Sequence, residues 1–441
     1  LAAPVGFDKY GSQLMLDIHQ NAHGTHGLIA GMTGSGKSEF IITYLLSMAI
    51  NYSPLEVGFI LIDYKGGGMS DTLARLPHTV GIIDNLGGKQ GIHRALLSIK
   101  SEILRRQKIF KEIGEKKHAS NLDIYKYQAM YRSGEVDEPL QHLILVSDEF
   151  AELKEQESAF MDDIVSMARI GRSLGVHLIL ATQKPTGVVS PQIASNARFH
   201  VCMKVQDKGD SMEMLGRPEA ALLTKTGRFY LQVGFNEVFV LGQSAWSGAK
   251  SAPKPRYVEE PDTTFEVLNN LGEAVAKAKP VLRENAGKLE KQVDVIVEYL
   301  RKTAAELGVM PKQSWKPMLP EHIVLDDIEK QYPVSYTRFA LDPVIGMVDD
   351  PQHQEQYPMQ LSLTENGNII VYGFAGAGKQ EVVNAVIYSL CMHHTSEELN
   401  IYCLDFASEA CRMFAAMPPV GDVVVAGEDE KITNLVKMLS N

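Results

Sequence analysis

The stretch Gly31-Met32-Thr33-Gly34-Ser35-Gly36-Lys37-Ser38 constrains this chain more than any other. Its spacing is G-x-x-x-x-G-K-S. A strand-like run closing at Gly27–Ala30 precedes it, and an apolar helical run from Ser38 to Ile50 follows. Glycines at these positions let successive backbone N–H groups turn inward around an anion, and the next helix adds its positive N-terminal end. All eight residues are therefore expected to line a triphosphate. Lys37 is expected to reach the β- and γ-phosphates, and Ser38 to offer its hydroxyl to Mg²⁺. A loop of this kind needs a strand before it and a helix after it, so the fold is expected to be α/β.

The next 150 residues agree. Val57–Asp63, His142–Ser147 and Val176–Ala181 are apolar runs suited to strands buried on both faces. Helical patterns at Gly91–Gly114 and Ser158–Leu174 alternate with them. Such alternation predicts a mostly parallel central sheet flanked by helices. The run HLILVS ends in Asp148-Glu149. Asp148 is expected to hold Mg²⁺, and Glu149 to orient and deprotonate the attacking water. The run VHLILATQ ends in Thr182-Gln183, and Gln183 is expected either to sense the γ-phosphate or to hold the water. A transition-state arginine is also expected. Arg105, Arg106, Arg169, Arg172 and Arg198 are the candidates, with Arg172, acting from a neighbouring subunit, preferred.

A second copy of this pattern follows. Gly373-Phe374-Ala375-Gly376-Ala377-Gly378-Lys379 repeats the first loop, after the strand-like NIIVY. Asp63 and Asp405 each lie 26 positions beyond their lysine, and Leu76-Pro77 is echoed by Met417-Pro418. Landmarks in register indicate tandem domains. The expected organisation is a complete module over residues 1–250, a connector over 251–335, and the start of a second, truncated module over 336–441. Gln380 stands where Ser or Thr holds Mg²⁺. The second loop is thus expected to bind nucleotide without efficient hydrolysis, or to have lost binding.

Composition excludes several classes. With 54 acidic against 43 basic residues the net charge is −11, unlike a general nucleic-acid coat. No apolar run approaches the roughly 18 residues of a membrane span. Cys202, Cys391, Cys403 and Cys411 lack metal-site or disulfide-framework spacing and read as thiols in a reducing compartment. The chain opens on Leu1 rather than Met, with no secretory signal leading it, and is expected to be an excised fragment of a longer protein.

The strings GMTGSGKSEF, LIDYKGGGMSDTLARLPH, LILVSDEFAEL and ARIGRSLGVHLILATQKP resemble the FtsK/SpoIIIE family of P-loop motor ATPases over about residues 1–245. The Lys65–Thr79 segment and the degenerate second loop resemble its EssC/EccC branch of bacterial type VII secretion. The resemblance implies a RecA-like P-loop NTPase fold in tandem copies and an ATP-hydrolysing motor using ATP and Mg²⁺. It further implies a homo-hexameric ring at the cytoplasmic face of the bacterial membrane, anchored through segments outside this chain. Small helical secreted proteins of the Trp-x-Gly type and other subunits of the secretion machine are the implied partners, rather than nucleic acid. The family's lysine, hydroxyl, metal aspartate, glutamate and polar sensor fall on Lys37, Ser38, Asp148, Glu149 and Gln183. The competing reading is an FtsK-like double-stranded DNA translocase.

Overall fold

The computed structural model describes residues 1–63, 68–84, 88–118, 121–235, 237–251, 265–278, 290–309, 311 and 313–440. Lys65, Gly66 and Gly67, which carry part of the EssC/EccC likeness, and residues 252–255 of the expected connector lie outside them. The chain divides into two compact units, Leu1–Ser314 and Trp315–Asn441.

In the first unit ten strands make one sheet: β1 (Ala2–Asp8), β2 (Gln13–Asp17), β3 (His26–Ala30), β4 (Val57–Asp63), β5 (Thr79–Asp84), β6 (His142–Ser147), β7 (Val176–Thr182), β8 (Phe199–Cys202), β9 (Arg228–Val233) and β10 (Val238–Ser244). Their spatial order is β2-β1-β10-β9-β8-β3-β7-β6-β4-β5. From β8 to β5 every pairing is parallel. Each residue of β3, β4, β6 and β7 is buried, as expected of strands covered by helices on both faces.

The sheet is wider than the sequence reading implies. β9, β10, β1 and β2 extend it by antiparallel pairing. β9 alternates half-buried and buried residues, so only one of its faces meets the core. That weaker alternation lacks the continuous apolar run that marks the central strands.

The helix Lys37–Asn51 buries Phe40, Ile41, Tyr44, Leu45 and Met48 against the sheet. Phe40 meets Phe229 of β9 edge to face, with ring centroids 5.0 Å apart. Each such side chain contributes about 1.5–3 kcal/mol by leaving water. The helix Gln292–Glu306, within the expected 251–335 connector, places Val293 and Val297 in this same core.

The second unit holds a hairpin, Val344–Asp350 with Glu355–Gln360, and a parallel pair, Ile401–Asp405 with Val420–Val425. The helix Lys379–His393 packs Ile387 against Cys403, Cys411, Phe414, Val420 and Val423. The expected strand NIIVY does not form: residues 367–374 pair with no strand among the described residues. Ile370 is 86% exposed and Tyr372 90%. The physical reason is pairing. Its counterpart β3 is held between β7 and β8, and residues 315–440 contain no counterpart of either.

A buried ion pair within the long helix Gly88–Lys117 positions Arg106 to hold the turn Arg172–Leu174 that precedes β7. Arg106 is 1% exposed; its Nε donates to Glu102 Oε1 at 2.8 Å and its Nη1 to the Leu174 carbonyl at 2.7 Å. Arg105 adds two hydrogen bonds to the same carboxylate. Burial pushes the Glu102 pKa up, but Arg106 and Arg105 together overcome it and bring it down to about 2. Removing Arg106 leaves a buried carboxylate short of a partner and an orphaned carbonyl. Arg106→Met is expected to destabilise the protein by about 2–4 kcal/mol, measured as a lowered urea midpoint at pH 7. Because the folded pKa lies below the unfolded value of ~4.3, Glu102's contribution is complete above that pH. It is lost as pH falls from ~4 toward 2, so the gap between wild type and Glu102→Gln should shrink over that window.

Candidate functional site

The register of the parallel strands brings the chemistry together. Ala30 of β3 pairs with Thr182 of β7, and Ser147 of β6 with Leu180. The ends of these three strands therefore open at one edge of the sheet, where the loop Gly31–Gly36, the pair Asp148-Glu149 and Gln183 all emerge.

The loop is pinned from beneath. Gly31 N donates to Thr182 O at 3.2 Å, Met32 N to Lys204 O at 2.8 Å, and Gly227 N to Ser35 O at 2.8 Å. A Cβ on Gly31 would stand 2.5 Å from Ser35 Oγ, and Gly36 holds φ +97° at the helix N-cap. Neither position accepts a side chain cheaply. The amides of Thr33, Gly34, Gly36, Lys37 and Ser38 donate to no acceptor among the described residues. A ring of unspent donors at a helix start fits a phosphate group.

Lys37 is 6% exposed, and its Nζ donates to Asp148 Oδ1 at 2.6 Å and also to the Asp148 carbonyl. Ser38 Oγ donates to Asp148 Oδ2 at 2.8 Å. Hydroxyl and carboxylate are hard oxygen donors, so this pair suits Mg²⁺, which takes few protein ligands and completes its shell with phosphate and water. Glu149 is 9% exposed. Its Oε1 accepts from Thr182 Oγ1 at 2.8 Å and its Oε2 from Gln183 N at 3.1 Å. Thr33 Oγ1 donates to Gln183 Oε1 at 2.8 Å.

Lys37, Ser38, Asp148, Glu149, Thr33 and Gln183 thus form one connected set. Arg172 does not join it: it opens the turn Arg172–Leu174 that leads into β7, at the opposite end of that strand from Gln183. Six to seven residues at ~3.3 Å each put those ends about 20 Å apart. Within one chain it therefore stands away from the phosphate loop. Arg105 and Arg106 are engaged with Glu102, and Arg198 with Glu237. Sequence reasoning overlooked Thr182 as a partner of Glu149. The signal was its place one residue before Gln183, on the strand beside β6.

The second loop copies the backbone but not the chemistry. Gly376 and Gly378 hold φ +78° and +84°, near the +81° and +97° of Gly34 and Gly36. Phe374, Ala375 and Ala377 of this loop are exposed. Lys379 Nζ, however, donates to Gly373 O at 2.8 Å. Gln380 donates to Asn384 Oδ1 at 2.9 Å and accepts from Ser408 Oγ at 3.3 Å. No hydroxyl stands where Ser38 does. Asp405 accepts the amides of Cys411, Ser408 and Ala407, and these bonds, Cys411's above all, bring its pKa down to about 2.

Comparison with known proteins follows this geometry. The profile of the FtsK/SpoIIIE family matches residues 1–187 and 330–441. Type VII secretion system protein EssC of Staphylococcus aureus (strain Mu50) is 40% identical over 448 residues, covering 100% of this chain and 30% of the relative. The chain thus spans about a third of the length of such relatives. The cytoplasmic domain of the Thermomonospora curvata type VII secretion ATPase EccC superposes with a TM-score of 0.76 at 29% identity, covering 98% of this chain and 47% of that one. EccC (ATPases 2 and 3) of the same organism, solved in complex with a signal sequence peptide, shares the fold. Its TM-score is 0.63 at 20% identity, over 100% of this chain and 69% of that one. A glycine loop closed on the carboxylates two strands away, carried by a chain that aligns from end to end with EssC, makes this protein a member of the FtsK/SpoIIIE family of the EssC/EccC type.

Proposed function

We propose that the first unit hydrolyses ATP as a motor module of a membrane-associated type VII protein secretion machine. The observation that carries this reading is the contact of Lys37 and Ser38 with the two oxygens of Asp148, in a chain 40% identical to EssC. On ATP binding, the loop amides of residues 33–38 take up phosphate oxygens. Lys37 Nζ exchanges Asp148 for the β- and γ-phosphates. Ser38 and Asp148 are the residues that would hold Mg²⁺, which would supply charge neutralisation at the phosphates. Glu149, steadied by Thr182 and the Gln183 amide, takes the proton of the attacking water. Gln183, released from Thr33, faces the γ-phosphate. Arg172 contributes to hydrolysis only across a subunit boundary, which makes a homo-hexameric ring the matching assembly.

The partners we propose are small helical secreted proteins of the Trp-x-Gly type and other subunits of the machine. The signal sequence peptide bound by the T. curvata relative supports a peptide-bearing cargo. Among the described residues no helix is long and apolar enough to cross a membrane. We place the unit at the cytoplasmic face, tethered through the rest of the protein. The organisation we propose is a complete ATPase module followed by the start of a second module whose loop binds nucleotide without efficient turnover.

Steady-state ATPase activity and binding of a fluorescent ATP analogue test the reading together. Glu149→Gln should keep analogue binding and lose at least ~100-fold in kcat. Lys37→Ala should lose the binding itself. Equal kcat in wild type and Glu149→Gln removes the proposed base. Turnover stimulated by double-stranded DNA, with steep salt dependence, favours the translocase reading; stimulation by cargo peptide favours export.

Gln380 gives a separate test. In a Lys37→Ala background, which is expected to silence the first site, Gln380→Ser puts a hydroxyl at the position that Ser38 holds in the first loop. Mg²⁺-dependent analogue affinity should rise at least roughly tenfold, the lower end of the scale of one charge-assisted contact. An unchanged affinity means that Gln380 is not what limits the second loop.

A further inference from the structure

The phosphate loop and the end of β7 are joined by a side-chain contact distinct from those of Asp148. Thr33 Oγ1 donates to Gln183 Oε1 at 2.8 Å, linking residues 150 positions apart. Thr33 is exposed and Gln183 half-buried, so both are open to solvent. Asp148, by contrast, takes Lys37 and Ser38, the residues that meet the β-phosphate and Mg²⁺ of either ADP or ATP.

The two halves of Gln183 are held differently. Its backbone amide donates to Glu149 Oε2 at 3.1 Å, and the preceding Thr182 hydroxyl donates to Glu149 Oε1 at 2.8 Å. Its side chain has only Thr33 as a partner among the described residues. The main chain is thus anchored, while the carboxamide turns on its own bonds. Bound to Thr33, the carboxamide presents its acceptor oxygen to the loop. Phosphate oxygens are acceptors too, and they call for the N–H₂ end. A γ-phosphate and the Thr33 hydroxyl therefore compete for one group. The amides of Thr33, Gly34, Gly36, Lys37 and Ser38 are unspent among the described residues, so a β-phosphate settles among them without breaking that bond.

We propose that Thr33 sets how strongly the first loop prefers ATP to ADP. Its hydroxyl lowers the affinity for ATP, whose γ-phosphate has to take Gln183 away, and leaves ADP unaffected. One neutral hydrogen bond is worth roughly two- to tenfold in affinity. Thr33 is thus a specificity-determining residue, distinct from the groups that perform hydrolysis. The inference rests on the nucleotide reading given above and deepens it.

The test compares a fluorescent non-hydrolysable ATP analogue with ADP carrying the same label, on the 441-residue protein. A Lys379→Ala background keeps the second loop out of the measurement. Thr33→Val keeps the shape of the side chain and removes its hydroxyl. It should tighten the ATP analogue roughly two- to tenfold and leave ADP unchanged, while Thr33→Ser should match the parent. In Gln183→Leu, where no amide is left to compete for, adding Thr33→Val should change neither affinity. Far-UV circular dichroism and the urea midpoint confirm that each variant folds. Weaker binding of the ATP analogue in Thr33→Val overturns the proposal, since Thr33 then steers Gln183 toward the γ-phosphate. An equal shift for both nucleotides, no shift at all, or a shift that survives Gln183→Leu also overturns it. In each of these cases the parent still binds nucleotide, and the site reading stands. A folded parent that binds neither nucleotide sinks that reading and this inference with it.

Discussion

Parallel register between β3, β7 and β6 is the constraint on which the rest depends. Lys37, Gln183 and Asp148 lie more than a hundred residues apart at the extremes, yet each follows a strand end fixed by backbone pairing. A slip of one residue in β7 would move Thr182 off Glu149 and reverse which face each side chain occupies. The helices on both faces fix that register by burying every residue of these strands. The site is precise because its supports are rigid elements, with only the glycine loop free to shape itself around an anion.

The two copies of the loop show how little of such a site resides in the glycines. Both adopt left-handed φ at matching positions and both start a fifteen-residue helix. What differs is the surroundings. In the first unit the lysine reaches a carboxylate at the end of a strand two places away in the sheet; in the second it folds back on its own loop. A backbone cradle is local and repeats easily, whereas the acidic partner requires a distant strand to arrive in the right place.

That distinction also explains what the sequence made legible. The central strands announce themselves as uninterrupted apolar runs, and the loop and acidic pair as motifs, so Lys37, Ser38, Asp148 and Glu149 could be named and linked in advance. Periodicity places the long helix at Gly91–Gly114, slightly short of the observed Gly88–Lys117, because helix ends are not set by periodicity. The antiparallel strands β1, β2, β9 and β10 do not stand out in the sequence, since half-solvated strands mix polar and apolar residues. NIIVY has the composition of a strand but lacks partners, and composition does not report pairing.

The strand order sets a schedule for synthesis. β3 is made early, but its two neighbours, β7 and β8, end only at Thr182 and Cys202. At roughly 5–20 residues per second, the most central strand waits on the order of ten to thirty seconds on the ribosome with both edges unpaired. Throughout that interval its apolar face and open backbone groups are available to any other nascent chain.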